Sequence, residues 1–503
     1  MSRSSKAILN SGTRLLYEIV AVICSFILPR LILSEYGSDV NGLVLSITRF
    51  LSISTFIDAA IGGVTRAAMY KPLADKDYTL LSKIFQESNN FYLQVSKIFV
   101  AYTLFIACIL PFVNGDGFTF WDIFLLTLAI SLSTYIQFLI GATNNVLVYA
   151  DQKVYLISTI NTVTIILNTI ATVVLIKLGC SIHVVKLTTS IVFAIRPFFT
   201  YIYCKKHYPL IRSKYDGRNL IPNKWSGFSH QIAETVHTNA DTIVLTCLSI
   251  YSNVSIYAIY ALITDGLTKL MECLRTGMGP GFGNMLVTES VEKVRSRFAV
   301  FDLVINIGSC ILFSSAMILI VPFVMLYTQG IIDADYNQPL FALLLVLSTL
   351  LHNMKNPYLV IIFAAGHFKQ TQKSANIEML INVILSILFV YVWGLNGVAI
   401  GTILAMLYRV IYCSQYLNNN VIYYSSSNFV KKLTINLAFV LSGYFIFTLT
   451  DLCKMNTFLD WVVFSMIVVP IVSILTFAIY FAFFRKDCLG LLRFIKGQLH
   501  IKH

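Results

Sequence analysis

The chain has 503 residues, of which 57% are hydrophobic and 12% charged, with a net charge of +13 and a mean hydropathy of +0.75. Soluble domains carry about 25% charged residues, so this composition excludes a water-soluble globular protein and points to an all-α, polytopic membrane protein. Ten cysteines stand singly with no CxxC pair, which excludes a zinc ribbon and a disulfide framework.

A helix crossing a bilayer needs about 20 apolar residues. Fourteen stretches qualify, within 12–33, 43–68, 92–113, 121–149, 154–178, 182–204, 226–249, 254–276, 298–326, 338–364, 374–393, 396–417, 431–452 and 459–484. The first follows Arg3 and Lys6, has no small-residue cleavage site, and is read as a retained membrane helix carrying Glu18. Span two carries Arg49, Asp58 and Arg66. Arg49 and Asp58 lie about 180° apart on a straight helix, so they share a wall only if the helix bends. Span six carries Arg196 and span twelve Arg409. Both are read as interfacial, at the cytosolic edge.

Span seven contains SHQIAETVHTNADTIVL, residues 229–245. His230, Glu234, His237 and Asp241 recur at spacings of four, three and four, within about 60° of one another on a helix. An ionisable group at mid-bilayer costs roughly 2.5–3.5 kcal/mol, so this face must meet protein or water. A metal site is the sharpest reading. Zinc usually draws on a tighter HExxH spacing or on several elements, so a polar cavity wall is preferred. A His–Glu network that only joins helices is the plainer alternative. Span eight repeats the pattern with Asp265, Lys269 and Glu272, while Arg275 lies about 80° off that stripe. Polar faces therefore gather in spans one, two, seven and eight.

Two lookalikes are set aside. The stretch GMGPGFGN (277–284) has no preceding strand and no Gly-Lys-Ser/Thr after it, so it is no P-loop; it is expected to end span eight in a sharp turn. The triplet DAD (333–335) belongs to an acidic outer loop. No loop exceeds about 25 residues, too few for a catalytic domain, and no enzyme activity is expected.

Lys and Arg concentrate in CKKHYPLIRSKYDGRNLIPNK after span six and in the C-terminal FRKDCLGLLRFIKGQLHIKH. Opposite loops are acidic, with Glu35, Asp39, Asp116, Asp122, Asp333, Asp335, Asp451 and Asp460. The rule that basic loops stay inside then places both termini in the cytosol and explains the positive charge without nucleic acid. A weak internal repeat at an offset of about 214 residues sets Asn161 on Asn376 and Asp58 on Glu272, a parallel arrangement known from transporters. Three parts are expected: bundles over 1–210 and 211–425, and two additional spans with a basic tail over 426–503.

The stretches NGLVLSI, RFLSI and IGGVTRAAMYKPLADKD, with NADTIVLTCLSIYSNVSIYAIYALI further on, resemble the corresponding regions of Wzx-type polysaccharide flippases. These belong to the superfamily that also holds the multidrug and toxin extruders. Asp58 is followed by AAIGG, a small departure from the family's acidic residue before a glycine pair. The resemblance implies two six-helix bundles in a V plus two C-terminal helices, in the bacterial inner membrane. It implies a central cavity built by spans one, two, seven and eight. It implies a substrate, an oligosaccharide repeat unit (O-antigen or capsule) on undecaprenyl pyrophosphate, moved from the cytosolic to the outer leaflet. Membrane lipids, a polysaccharide polymerase and chain-length proteins are the implied partners. No cofactor or metal is implied, and coupling to H+ or Na+ is open. Arg49, Lys269 and Arg275 are the expected pyrophosphate ligands, and Asp58, His230, Glu234, His237, Asp241, Asp265 and Glu272 the remaining cavity wall. A cation-coupled drug or metabolite antiporter of the same fold is the alternative.

Overall fold

A computed structural model describes residues 3–113, 117–210, 228–275, 278–450 and 455–491. The described backbone is helical throughout its regular elements, as lipid demands: no water is present to satisfy open backbone groups, so each span must satisfy its own. Eleven described helices are long and apolar enough to cross a membrane. The chain is a multi-pass membrane protein.

Packing divides the chain into two compact units, Met1–Ser255 and Ile256–His503. The first unit begins with α1 (Arg3–Ser52), which is two helices joined at Gly37, where φ 84° and ψ 177° require a residue without a side chain. A turn at Ile53 and Ser54 separates α1 from α2 (Thr55–Asp75). The second predicted span is therefore broken between Arg49 and Asp58. The left-handed Lys76 ends α2, its N–H donating to the Pro72 carbonyl.

The chain continues with α3 (Tyr78–Val113) and α4 (Phe120–Ile136). Thr119 and Asp122 form a reciprocal capping box that starts α4. A π-helical turn, Gln137–Gly141, joins α4 to α5 (Ala142–Ala150). At its end stands Gly141, where an added Cβ would fall 2.6 Å from Pro197 Cβ. The wide turn and bare glycine thus let α7 approach. Helices α6 (Val154–Lys177) and α7 (Ile182–His207) pack together and join through Gly179 at φ 70°. Helix α8 (Phe228–Leu248) completes the unit against α1 and α2. One apolar core centres on Leu43, Ile47, Tyr92, Phe99 and Phe138, another on Met69, Leu81, Leu147 and Ile157.

Helix α9 (Tyr251–Arg275) leads into the second unit, followed by α10 (Met278–Thr288). The glycine-rich stretch expected to turn is helical over 278–284; glycine lowers helix propensity by only about 1 kcal/mol per residue, which packing of α10 on α12 offsets. Helix α11 (Val291–Tyr327) is the most buried span and packs on α12 (Pro339–Ala364), α15 (Ser426–Leu449) and α16 (Phe458–Phe483). Between them α13 (Phe368–Trp393) and α14 (Leu395–Asn420) form a tight hairpin turning at Gly394, φ 53°.

That hairpin shows how helices adhere in lipid, where the hydrophobic effect gives no preference for helix over tail. GVAIG (397–401) places two glycines four apart. A Cβ would fall 2.1 Å from the Phe389 carbonyl oxygen at Gly397, and 2.6 Å from Ser386 N at Gly401. The backbones are therefore in contact, and Asn382 donates to Thr402 Oγ1 at 2.9 Å across the same seam.

Candidate functional site

The expected site residues fall into three groups. The side chains of Asp58, His230, Glu234 and His237 lie outside the described residues. Asp241, the last of the span-seven stripe, is buried in α8 at 4% exposure. On α9, Asp265, Lys269 and Glu272 are exposed and Arg275 half-buried. Arg275 stands 3.7 Å from Glu272, one turn back along the helix, a pair of little energetic weight at that exposure. Among the described residues no group of three or more His, Cys, Asp or Glu side chains could hold a metal.

Arg49 sits half-buried near the end of α1, beside a seam of polar contacts in the first unit. Ser52 Oγ donates to Asn239 Oδ1 at 2.7 Å, and Thr246 Oγ1 to Ser46 Oγ at 2.7 Å. Asn41 Nδ2 donates to Ser255 Oγ at 2.7 Å. Gly42 permits this closeness, because a Cβ there would lie 1.9 Å from the Tyr251 carbonyl oxygen. Small hydroxyl and amide side chains at close spacing are what joins helices in lipid. The seam is thus a closed contact, and its polarity is absorbed internally.

A cavity lies elsewhere, inside the first unit. It encloses about 700 Å³ between α2, α4, the π-helical turn, α5, α6 and α7. Arg66 and Arg196 line it together with Gln137, Asn145, Asn161, Ser133, Thr134 and Thr200. No carboxylate lines it. Arg196 stacks on Phe193 at 4.0 Å from the ring centre and donates through Nε to Thr164 Oγ1 at 2.7 Å. Arg66 stacks on Tyr149 at 4.6 Å. These contacts hold both guanidinium groups by their faces, leaving in-plane N–H groups for a guest. Arg66 Nε and Asn145 Oδ1 are buried with no hydrogen-bond partner among the described residues. Buried polar atoms are normally satisfied, so two unsatisfied atoms in one cavity mark a place prepared for a polar ligand.

Arg196 was expected as an interfacial side chain, and Arg66 at the cytosolic end of span two. The structure turns both inward, because the π-helical turn and Gly141 bring α5 and α7 together around them. Single-helix periodicity carries no such signal.

Arg409 also departs from its interfacial reading. It is 2% exposed and pairs through Nε with Glu378 Oε2 at 3.1 Å. It also donates to Ser374 Oγ, and Lys355 Nζ lies 3.3 Å from the other Glu378 oxygen. A second buried set joins Lys432 Nζ to Asp302 Oδ2 at 2.7 Å, with Tyr424 donating to the same oxygen at 3.2 Å. These carboxylates are occupied by cations of the chain itself, so both sets bind helix to helix.

No protein-family model matches the chain, and no curated protein sequence does. Solved structures match in fold. A lipid II flippase, MurJ, in an inward closed conformation is 13% identical with a TM-score of 0.68, over 93% of this chain and 99% of that one. An inward-facing multidrug resistance MATE family transporter of the MOP superfamily is 13% identical with a TM-score of 0.56, over 82% and 98%. A mutant of the Vibrio cholerae MATE transporter VcmN is 14% identical with a TM-score of 0.53, over 84% and 99%. The chain thus has the all-α, polytopic, MATE-like fold shared by a lipid-linked flippase and multidrug transporters.

Proposed function

We propose that the chain is a flippase that moves an undecaprenyl-pyrophosphate-linked oligosaccharide repeat unit from the cytosolic to the outer leaflet of the bacterial inner membrane. The observation that carries this reading is the carboxylate-free cavity with two inward arginines in a MATE-like fold. A pyrophosphate head group and its sugars lose water on entering a bilayer, and a polar cavity must replace those contacts. Two guanidinium groups supply charge-assisted, geometrically matched donors for phosphate oxygens. Gln137, Asn145 and Asn161 offer amides suited to sugar hydroxyls. An exporter of cationic drugs would face repulsion from this pair, so the antiporter is the weaker reading. Arg49, Lys269 and Arg275 then become secondary cations that the head group meets in passing, and the stripe from His230 to Asp241 is the titratable wall through which H+ or Na+ biases transport. A polymerase and chain-length proteins would consume the exported unit.

The test is reconstitution in vesicles with a lipid-linked oligosaccharide, scoring its appearance in the outer leaflet with a membrane-impermeant lectin. Losing one charge-assisted hydrogen bond costs about 1.5–3 kcal/mol, so Arg66→Gln and Arg196→Gln should each slow flipping by roughly 10- to 100-fold while the proteins remain monodisperse. Unchanged flipping in both variants, or efflux of cationic dyes with no flipping by wild type, would refute the proposal.

A further inference from the structure

A second pocket of about 290 Å³, walled mainly by apolar side chains with a few polar groups among them, lies in the first unit between α1, α6 and α7. Its one charged lining residue is Lys186, which is partly buried and makes no hydrogen bond or ion pair among the described residues. Asn168, 2% exposed, lines it too, and its Oδ1 is buried without a partner. Thr172 and Thr189 add hydroxyls, and no carboxylate is present. Lys186 is the fifth residue of α7, and an ammonium group withdrawn from water without a partner is costly. Among the described residues it pairs with nothing, whereas the fully buried Lys355 and Lys432 each meet a carboxylate.

The two pockets share one wall residue, Phe193. On α7, Lys186, Thr189, Phe193, Arg196 and Thr200 recur at spacings of three and four, on a single stripe. Ten residues of helix separate Lys186 from Arg196, about 15 Å, or half of the roughly 30 Å hydrocarbon layer. On α6 the facing stripe is equally polar, running through Asn161, Thr164, Asn168 and Thr172.

We infer that Lys186 is a second anion station, and that a diphosphate head group steps along the α6–α7 track from the Arg66–Arg196 cavity past Phe193 to Lys186. A track with cations at both ends and none of the opposite sign accepts anions and rejects cations along its length. The aromatic ring of Phe193 divides the two pockets, so each holds its ligand by its own donors. The inference takes the identity of the anion from the proposed function, and its test does not depend on flipping.

The experiment uses purified full-length protein in detergent with farnesyl diphosphate as probe. Acylation of the Lys186 amine by a small amine-reactive reagent is followed by peptide mass spectrometry, with and without probe, in wild type and in the Arg66→Gln/Arg196→Gln double variant. Protection of Lys186 by at least fivefold in both proteins is expected, because the station has its own donors. Loss of about one bound probe per chain is expected for Lys186→Gln, and full retention for Lys186→Arg, which keeps the charge and controls for folding. Absence of protection in wild type, or protection that disappears in the double variant, overturns the second station. Protection without any flipping activity would instead refute the proposed function and leave the station standing.

Discussion

Asp302 and Lys432 are both fully buried, 2.7 Å apart, and joined by Tyr424. Removing one partner of such a pair leaves a bare charge, at a cost of about 3–5 kcal/mol, whereas replacing both by apolar residues is often neutral. Asp302→Leu and Lys432→Met should therefore each lower the thermal midpoint in detergent sharply, and the double variant should recover most of the loss. Additive losses in the double variant would show that the two residues act apart. The same residue-scale logic separates Arg409, whose charge Glu378 absorbs, from Arg66 and Arg196, whose cavity has no carboxylate. Arginine alone says nothing about role; its neighbours decide it. Nothing in the one-dimensional pattern around Arg66, Arg196 or Arg409 distinguished them, and all three looked like cations at the ends of spans.

Among elements, the seam of α1 with α8 and the start of α9 is built on a glycine. Gly42 lies against the Tyr251 carbonyl so closely that any side chain must push the backbones apart. The contacts Ser46–Thr246, Ser52–Asn239 and Asn41–Ser255 depend on that closeness. Ser46→Cys with Thr246→Cys should form a disulfide on mild oxidation, and adding Gly42→Ala should cut its yield severalfold on peptide mapping. An undiminished yield would mean that the seam tolerates a Cβ and is looser than it looks. The broken second span belongs to this scale as well. The sequence reads as one span over 43–68, and the turn at Ile53 and Ser54 divides it. The close approach of Gly141 to Pro197 was not legible, because it joins separate helices.

For the molecule as a whole, the proposed flipping must be driven in one direction, and the stripe of His230, Glu234, His237 and Asp241 is assigned that task. Histidine changes charge near neutral pH, so an H+-coupled transporter should lose its response to an imposed pH gradient in His230→Ala and Glu234→Gln while retaining substrate binding. The reconstituted vesicles described above can carry either an H+ or a Na+ gradient, and a response unaltered in both variants would return the stripe to a purely structural part.

Composition and hydropathy alone determined that the chain is an all-α membrane protein, and apolar length placed most of its spans on helices found in the structure. That follows because lipid leaves a backbone few choices, and a run of about 20 apolar residues states the choice locally. Which charges are spent on holding helices together and which face a cavity was decided only by tertiary structure. Burial of a charge is priced by what stands opposite it, and for Arg66, Arg196, Lys186 and Arg409 that neighbour comes from a distant part of the chain or is missing.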